Sequence, residues 1–246
     1  MNDQASGAMP RSGGPVDPAA IDDLVAANRI LADQGVLDGY GHVSFRHPGA
    51  ANRYFLSRSK SPAIITADDI MEYDLDSNPV DQAGRLMYLE RFIHGEIYKA
   101  RPDVQAVVHS HSPTVIPFGV TTVKLRPIFH MSAFLGHNVP NFEIRDTAGM
   151  TDLLIREPKL GHALAHTLGD HPVALMRGHG NVCVGPNIMV AVYRAVYTEV
   201  NARLQAQAIA LGGPITFLDP RECDAITNRK ETNVQRPWQM WKSRVL

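Results

Sequence analysis

Two histidines separated by one residue end an apolar run, and their spacing could place two ligands on one metal ion. The run VVHSHSP covers residues 107–113, and its histidines are His109 and His111. In a β-strand, residues i and i+2 point to the same face, so both rings could reach one ion. An ordinary polar strand end has the same pattern, so the pair alone leaves both interpretations open.

A third histidine and a carboxylate favour the metal interpretation. His179 lies between two glycines in RGHGNV, directly after the apolar run VALM, where glycine permits a sharp turn and a close approach to an ion. Glu90 lies among apolar residues in MYLERFI and could be a ligand or a general acid/base. A turn histidine and a solvated helix carboxylate are the ordinary alternatives. Together, three imidazoles and one carboxylate suit Zn, Mn, Fe or Co, and open coordination positions would make the site catalytic.

Helices and strands that must position these residues alternate along the chain without a strict βαβ rhythm. Glu90 is predicted within a helix over 83–100, with Leu86 and Leu89 on or near its apolar face. This helix leads into a buried strand, VQAVVHSHS, which carries the histidine pair. Other helices are predicted from Asp17-Pro18, over 157–169 and after Pro186, and other strands in HVSF, RYFLSRS, DIMEYDLDS and on both sides of the RGHG turn. One α/β domain with a mixed sheet fits this order best.

Composition excludes several functional classes. A net charge of -1 over 246 residues argues against a nucleic-acid surface or a polybasic membrane contact. The two cysteines, Cys183 and Cys223, provide no disulfide framework and suit a reducing compartment, and no apolar run is long enough to span a bilayer. Residues 1–16 predict a disordered leader. We therefore expect a cytoplasmic protein with a small-molecule substrate and with neither nucleic acid nor membrane as a partner.

The series Glu90, RPD, VVHSHSP and GHG resembles the class II aldolase/adducin family over about residues 18–212. The resemblance implies a single-domain αβα sandwich with a central mixed, largely antiparallel sheet, and we assign this domain to residues 17–212. Residues 213–246 are expected to form a C-terminal extension that packs on the domain or on a neighbouring subunit. It implies a homotetramer with active sites between subunits. It also implies that the metal ligands are His109, His111 and His179 and that Glu90 is the catalytic acid/base.

Three segments differ from the sugar-phosphate aldolases of this family. Their Gly-Asn-Xaa-Ser segment is here Gly41-His42-Val43-Ser44, and their Ser-Ser pair before the catalytic glutamate is Tyr88-Leu89. Their Thr-Pro-Ser-Gly phosphate loop is replaced by Leu56-Ser57-Arg58-Ser59-Lys60. Most of the small residues and clustered donors that hold a phosphate are therefore absent from these segments, and a phosphorylated sugar is not expected.

The segments GHVSFRHP, FLSRSKSP and ITADDI are similar to a decarboxylase branch of the family, which acts on hydroxypyridine-dicarboxylate, dihydroxyphthalate and carboxylated 2-hydroxymuconic semialdehydes. The resemblance implies a lyase of aromatic catabolism that removes CO2 from an ortho-hydroxy aromatic, heteroaromatic or 2-hydroxymuconate-type acid through a metal-stabilised enolate. Glu90 is the first candidate to deliver a proton to carbon, and His42 is the second. The expected substrate-binding residues are Arg58, Ser57, Ser59 and Ser44.

Two alternatives stay open. One is an aldolase or epimerase that acts on an unphosphorylated keto or hydroxy acid, because retro-aldol cleavage also produces an enolate. The other is a non-catalytic, adducin-like scaffold, which the intact set of three histidines and Glu90 disfavours. His94, one helical turn after Glu90, is interpreted as a packed residue or as one that orients Glu90.

Overall fold

A seven-stranded sheet runs through the centre of the chain, of which the computed structural model describes residues 10–230 and 233–246. The strands are β1 (His42–Arg46), β2 (Arg53–Ser57), β3 (Ile70–Asp74), β4 (Ala106–Ser110), β5 (Asn141–Phe142), β6 (Val173–Met176) and β7 (Gly180–Gly185). Their order across the sheet is β3-β2-β1-β4-β7-β6-β5. Every neighbouring pair is antiparallel except β5 and β6, which are parallel. The predicted mixed, largely antiparallel sheet is confirmed.

Helices cover both faces of this sheet. The α-helices of the described residues are α1 (Pro18–Asp33), α2 (Phe92–Ala100), α3 (Ile116–Val120), α4 (Arg145–Ala148), α5 (Pro158–Leu168), α6 (Ile188–Leu211), α7 (Pro220–Lys230) and α8 (Gln235–Val245). Alternation along β4 separates two cores: Ala106 and Val108 pack with α1, α6 and α8, whereas Val107 packs with α2 and α5. The αβα sandwich is therefore confirmed, and its α2/α5 face carries the candidate site.

Capping residues explain where two of the longer helices begin. The Asp17 carboxylate accepts a hydrogen bond from the Ala19 amide at the start of α1, where Pro18 is the first helical residue. The Asn187 side chain accepts from the Val190 amide at the start of α6, just after Pro186. These contacts satisfy amides that have no partner within the helix.

The prediction of a helix over 83–100 is wrong for its first part. The helix α2 begins at Phe92 and follows a single 3-10 turn, Leu89–Arg91, which carries Glu90. Leu86 is 70% exposed rather than packed. The reason is tertiary: the Tyr88 hydroxyl donates to the Lys60 carbonyl at 2.6 Å and holds the segment, in extended conformation, against the loop after β2.

Both ends of the described chain pack on the domain. Residues 1–9 of the predicted leader lie outside the described residues, but Ser12 and Gly13 donate to the Glu72 carboxylate at 2.7 and 2.6 Å. At the other end, Trp238 and Trp241 of α8 are buried in the core with α1 and α6. None of the helices in the described ranges has both the length and the apolar character needed to cross a bilayer.

Candidate metal centre and active-site cavity

The four residues singled out by their spacing meet at the end of β4. His109 lies within that strand, but the strand ends at Ser110, so His111 is placed by the following loop and not by strand alternation. His179 occupies the turn between β6 and β7, and Glu90 reaches the same point from its 3-10 turn. One candidate ligand atom from each of the four lies within 4.8 Å of every other. The structure thus brings the predicted ligands and the predicted acid/base together.

Two glycines allow the turn that carries His179 to approach β4. Gly178 has a φ of 66°, which a residue with a side chain rarely adopts. A Cβ atom on Gly180 would collide with the carbonyl oxygen of Ser110. The glycines on both sides of His179 are therefore the local reason that its ring reaches the histidine pair.

Backbone carbonyls determine which nitrogens of two histidines face the centre. The Nδ1 atom of His109 lies 3.3 Å from the Asn181 carbonyl oxygen, and that of His179 lies 3.0 Å from the Leu153 carbonyl oxygen. Because a carbonyl can only accept, each Nδ1 carries the hydrogen and each Nε2 presents a lone pair. The Nε2 atoms of His179 and His111 are 3.1 Å apart.

Glu90 completes the set as an ionised carboxylate. One oxygen accepts from the Ile155 amide at 2.9 Å, and the other lies 3.5 and 3.4 Å from the Nε2 atoms of His109 and His179. Burial alone would raise the pKa of Glu90, but the two histidines outweigh it and hold the pKa below its usual range. Burial, together with His109 and His179, lowers the pKa of His111 to about 4, so its ring is neutral.

This donor set fits a divalent ion. The Nε2 atom of His109 is buried and has no hydrogen-bond partner among the described residues, which is unfavourable unless a ligand satisfies it. The separations of 3.1, 3.4 and 3.5 Å between donor atoms are close to the edge of a tetrahedron with bonds of about 2.0–2.1 Å. The residues able to hold the ion are His109, His111 and His179, with Glu90 beside them.

A cavity of about 560 Å³ opens above these groups. Glu90 and His111 line it together with aromatic and aliphatic side chains and with small and polar residues. The wall residues include Tyr40, His42, Lys60, Tyr88, Leu89 and Leu154. A lining that combines apolar side chains with a few polar groups suits a small ligand that carries oxygen substituents.

Only part of the predicted substrate-binding set reaches this cavity. Ser59 lines it, whereas Ser57 and Arg58 do not. The Ser57 hydroxyl lies 3.2 Å from that of Tyr88, and the Nε atom of Arg58 lies 3.7 Å from the Asp69 carboxylate. Ser44 is fully buried and does not line the cavity. The substrate-binding roles of these residues stay predictions.

Lys60 is the cationic side chain among the described residues that line the cavity, and its sequence left open whether it is a site residue or an ordinary loop residue. Its Nζ atom lies 2.6 Å from the carboxylate of Asp69, which is itself fixed by a capping box with Thr66. The Thr-Ala-Asp-Asp segment in ITADDI carries the sequence pattern of such a box, so this anchor could have been found from the sequence. Tyr40 and Leu154 were missed, because nothing in their local sequence marks a cavity wall.

His94 contacts His42 and not Glu90. Its Nε2 atom lies 2.6 Å from His42 Nδ1, and its Nδ1 atom lies 2.6 Å from the Ser44 hydroxyl. Ser44 is in turn 2.8 Å from the Tyr98 hydroxyl. His42 reaches the cavity wall at the end of this series.

Comparison with known proteins agrees with the geometry. Residues 22–206 match the family described as class II aldolase and adducin N-terminal domain. Decarboxylase tropJ of Talaromyces stipitatus is 40% identical over 241 residues, which cover 89% of this chain and 91% of the relative. The 3,4-dihydroxyphthalate decarboxylase of Arthrobacter keyseri is 30% identical over 254 residues, with 96% and 98% covered. An aldolase II superfamily protein from Pseudomonas syringae has the same fold, with a TM-score of 0.77 at 23% identity and 94% of each chain covered.

Proposed function

The chain belongs to the class II aldolase and adducin family and is a lyase of its decarboxylase-like branch, and from this premise we propose that it removes CO2 from a hydroxy-substituted unsaturated acid. The substrate class is an ortho-hydroxy aromatic or heteroaromatic acid, or an open-chain 2-hydroxymuconate-type acid, in aromatic catabolism. The observation that carries the proposal is the convergence of three imidazole Nε2 atoms and the Glu90 carboxylate beside a cavity that Glu90 and His111 line.

The ligands that we propose for the ion are His109, His111 and His179. A Zn, Mn, Fe or Co ion would supply Lewis acidity to the substrate oxygens. The carbonyls of Asn181 and Leu153 hold two of the three rings in the orientation that ligation needs. The two carbonyls contribute by orienting the rings, because they leave the Nε2 lone pairs directed at one centre.

Glu90 is the group that we assign to proton transfer. The Ile155 amide holds one carboxylate oxygen, which leaves the other directed at the centre of the site. As an ionised base, Glu90 can accept the proton of the substrate hydroxyl. Glu90 then returns this proton to the carbon that bears the carboxylate, which converts the substrate to its keto tautomer. The bond to the carboxylate breaks, CO2 leaves, and the electron pair of that bond moves to the carbonyl oxygen to give the enolate.

A second carboxylate on the substrate would be recognised at Lys60. Lys60 lines the cavity and its side chain is 29% exposed, while the Asp69 carboxylate, 2.6 Å from Nζ, limits its movement. Arg58, the cation favoured by its position in the loop, is 41% exposed and its Nε atom faces Asp69 outside the cavity lining. Among the described residues that line the cavity, Lys60 therefore offers the better partner for a dicarboxylic acid.

The test is a product assay on the purified chain. Protein stripped by a chelator is reconstituted with Zn²⁺, Mn²⁺, Fe²⁺ or Co²⁺ and incubated with ortho-hydroxybenzoates, dihydroxyphthalates, hydroxypyridine dicarboxylates and 2-hydroxymuconate-type acids. We expect CO2 release only from reconstituted protein. Release of an aldehyde without CO2 would replace the proposal with the aldolase alternative, and absence of both metal binding and turnover would favour the scaffold.

We also propose a cytoplasmic homotetramer with active sites between subunits. Apolar side chains near the cavity are exposed in the single chain: Tyr40 by 71%, Leu89 by 58% and Leu86 by 70%. Such side chains suit burial against a neighbouring subunit. Sedimentation equilibrium tests this assembly, and a monomer at micromolar concentration would contradict it.

A further inference from the structure

Four side chains form a continuous hydrogen-bonded chain that ends at the cavity wall. The Tyr98 hydroxyl contacts Ser44 at 2.8 Å, Ser44 contacts His94 Nδ1 at 2.6 Å, and His94 Nε2 contacts His42 Nδ1 at 2.6 Å. All four residues are at most 3% exposed. We call this series the His42 chain. Within the described part of the protein, the second ring nitrogen of His42, Nε2, has no hydrogen-bond partner, and His42 is the member that lines the cavity.

The donors of the His42 chain can point in either of two directions, and burial favours one of them. If the hydrogens point from Tyr98 toward His42, every O–H and N–H within the chain has the next member as its acceptor. In the reverse direction, the buried Tyr98 hydroxyl would need an acceptor other than Ser44; its further contact, with the Val107 backbone, favours the ionised oxygen and therefore comes from an N–H donor. Buried polar hydrogens are rarely left unpaired. His42 Nδ1 is therefore an acceptor, and the hydrogen of this ring lies on Nε2.

The members of the chain stay neutral, so the chain fixes a tautomer and does not conduct protons. Burial raises the pKa of Tyr98, and its hydroxyl does not ionise. Burial also lowers the pKa of His94 to about 3. Because His42 Nδ1 accepts the hydrogen bond from His94 Nε2, the His42 ring carries one hydrogen, on Nε2, and is neutral.

We propose that His42 is a neutral hydrogen-bond donor, through Nε2–H, to the substrate oxygen that gains negative charge as CO2 leaves, and that the rest of the His42 chain fixes its tautomer. This inference rests on the proposed function. His42 is then a catalytic residue, whereas His94, Ser44 and Tyr98 are positioning residues. The role is chemically reasonable because a neutral imidazole polarises the substrate carbonyl of triosephosphate isomerase in the same way.

The inference excludes two other roles for His42. An Nε2–H group cannot ligate a cation, so His42 is not a fourth histidine ligand, although its ring centroid lies 5.1 Å from that of His109. A neutral imidazole donor would become an imidazolate if it gave up its hydrogen, so His42 does not deliver the proton to carbon. That step stays with Glu90.

The tautomer can be measured without any substrate. In the full chain labelled with ¹⁵N-histidine and reconstituted with diamagnetic Zn²⁺, the ring signals of His42 are those that disappear in His42→Gln. We expect a protonated Nε2 and an acceptor Nδ1 in the wild-type protein. Tyr98→Phe removes the hydroxyl that sets the direction, and its His42 signals should move toward a mixture of tautomers. A hydrogen on Nδ1 in the wild type, or unchanged signals in Tyr98→Phe, would overturn the inference.

Kinetics and metal content separate the donor role from ligation. His42→Leu should lower kcat by about 100-fold, as does loss of a donor to a developing oxyanion, while metal content stays unchanged. His42→Gln, which keeps an amide N–H at a similar reach, should stay within about tenfold of wild type. Tyr98→Phe should lower kcat about two- to tenfold at constant KM, because only part of the population has the competent tautomer. Loss of metal from His42→Leu, or equal activity of the Leu and Gln variants, would contradict the donor role. If no tested acid is turned over, the proposed function fails, but the tautomer and metal content still decide the inference.

Discussion

The Nε2 atoms of His111 and His179 lie 3.1 Å apart, although a loop after β4 supplies one and the turn between β6 and β7 supplies the other. The Leu153 carbonyl holds the ring of His179, and Glu199 of α6 holds the loop of His111 by accepting from Ser112 at 2.6 Å. Two imidazole nitrogens at this distance are favourable only with a proton or a cation between them.

His111→Ala should therefore abolish retention of the ion. The variant loses one of three imidazole ligands, and the remaining groups bind a divalent ion weakly. In the wild type, Zn²⁺ at about 100 times its Kd should stabilise the fold by about 2.7 kcal/mol, and the variant should show almost no such gain. Elemental analysis and thermal unfolding with and without Zn²⁺ measure both effects. His166→Ala, on the exposed side of α5, is the control and should behave as wild type.

Glu90→Gln should keep the ion but lose most turnover. The amide oxygen can still accept from the Ile155 amide, so the side chain stays in place. Because the amide cannot take up and return a proton, kcat should fall by about 10²–10⁴-fold. Single-turnover CO2 release and elemental analysis check the two parts. Glu96 is a second buried glutamate nearby and pairs with Lys99, so Glu96→Gln is the control for a general effect of lost charge. An equal loss of kcat in both variants would refute the acid/base role of Glu90.

Local sequence predicts the proposed ligands because the position of each depends on residues close to it in the chain. His179 is marked by its two glycines, and His109 by its place at the end of an apolar strand. The helix predicted over residues 83–88 fails because a contact distant in sequence, between Tyr88 and Lys60, determines the backbone there. Helical periodicity carries no information about such a contact.

The contacts of the residues around the proposed ligands can be predicted only when the packing of the strands and helices is known. His42 and Ser44 alternate to one face of β1, and His94 and Tyr98 share one face of α2. Each pair can be predicted from the sequence, but only the packing of α2 on β1 joins the four side chains into the hydrogen-bonded His42 chain. Likewise, the loop over residues 57–60 offers two cations, and its backbone path decides that Lys60 lines the cavity and Arg58 does not.

The stability of the fold should fall at acid pH through His94. Burial lowers its pKa from 6.5 to about 3 in the folded state, so between these values the unfolded chain binds one more proton at this residue. The stabilisation is complete above the unfolded pKa and decreases as the pH falls, by at most about 1.4 kcal/mol per pH unit. The free energy of unfolding can be measured with urea between about pH 7 and pH 5. Its slope against pH should correspond to nearly one bound proton fewer in His94→Gln than in the wild type. The exposed His166→Gln is the control, and identical slopes in all three proteins would rule out this linkage.

Substrate selectivity should depend on Lys60 and much less on Arg58. Lys60 lines the cavity, whereas Arg58 lies outside the lining, although both face Asp69. Lys60→Met keeps the aliphatic stem but removes the charge that meets a second carboxylate, which should raise KM for dicarboxylic acids by about tenfold or more. KM for matched monocarboxylic acids should change little. Arg58→Met is the matched control because it removes a cation from the same loop. The assignment is refuted if Arg58→Met raises KM for the dicarboxylic acids more than Lys60→Met does.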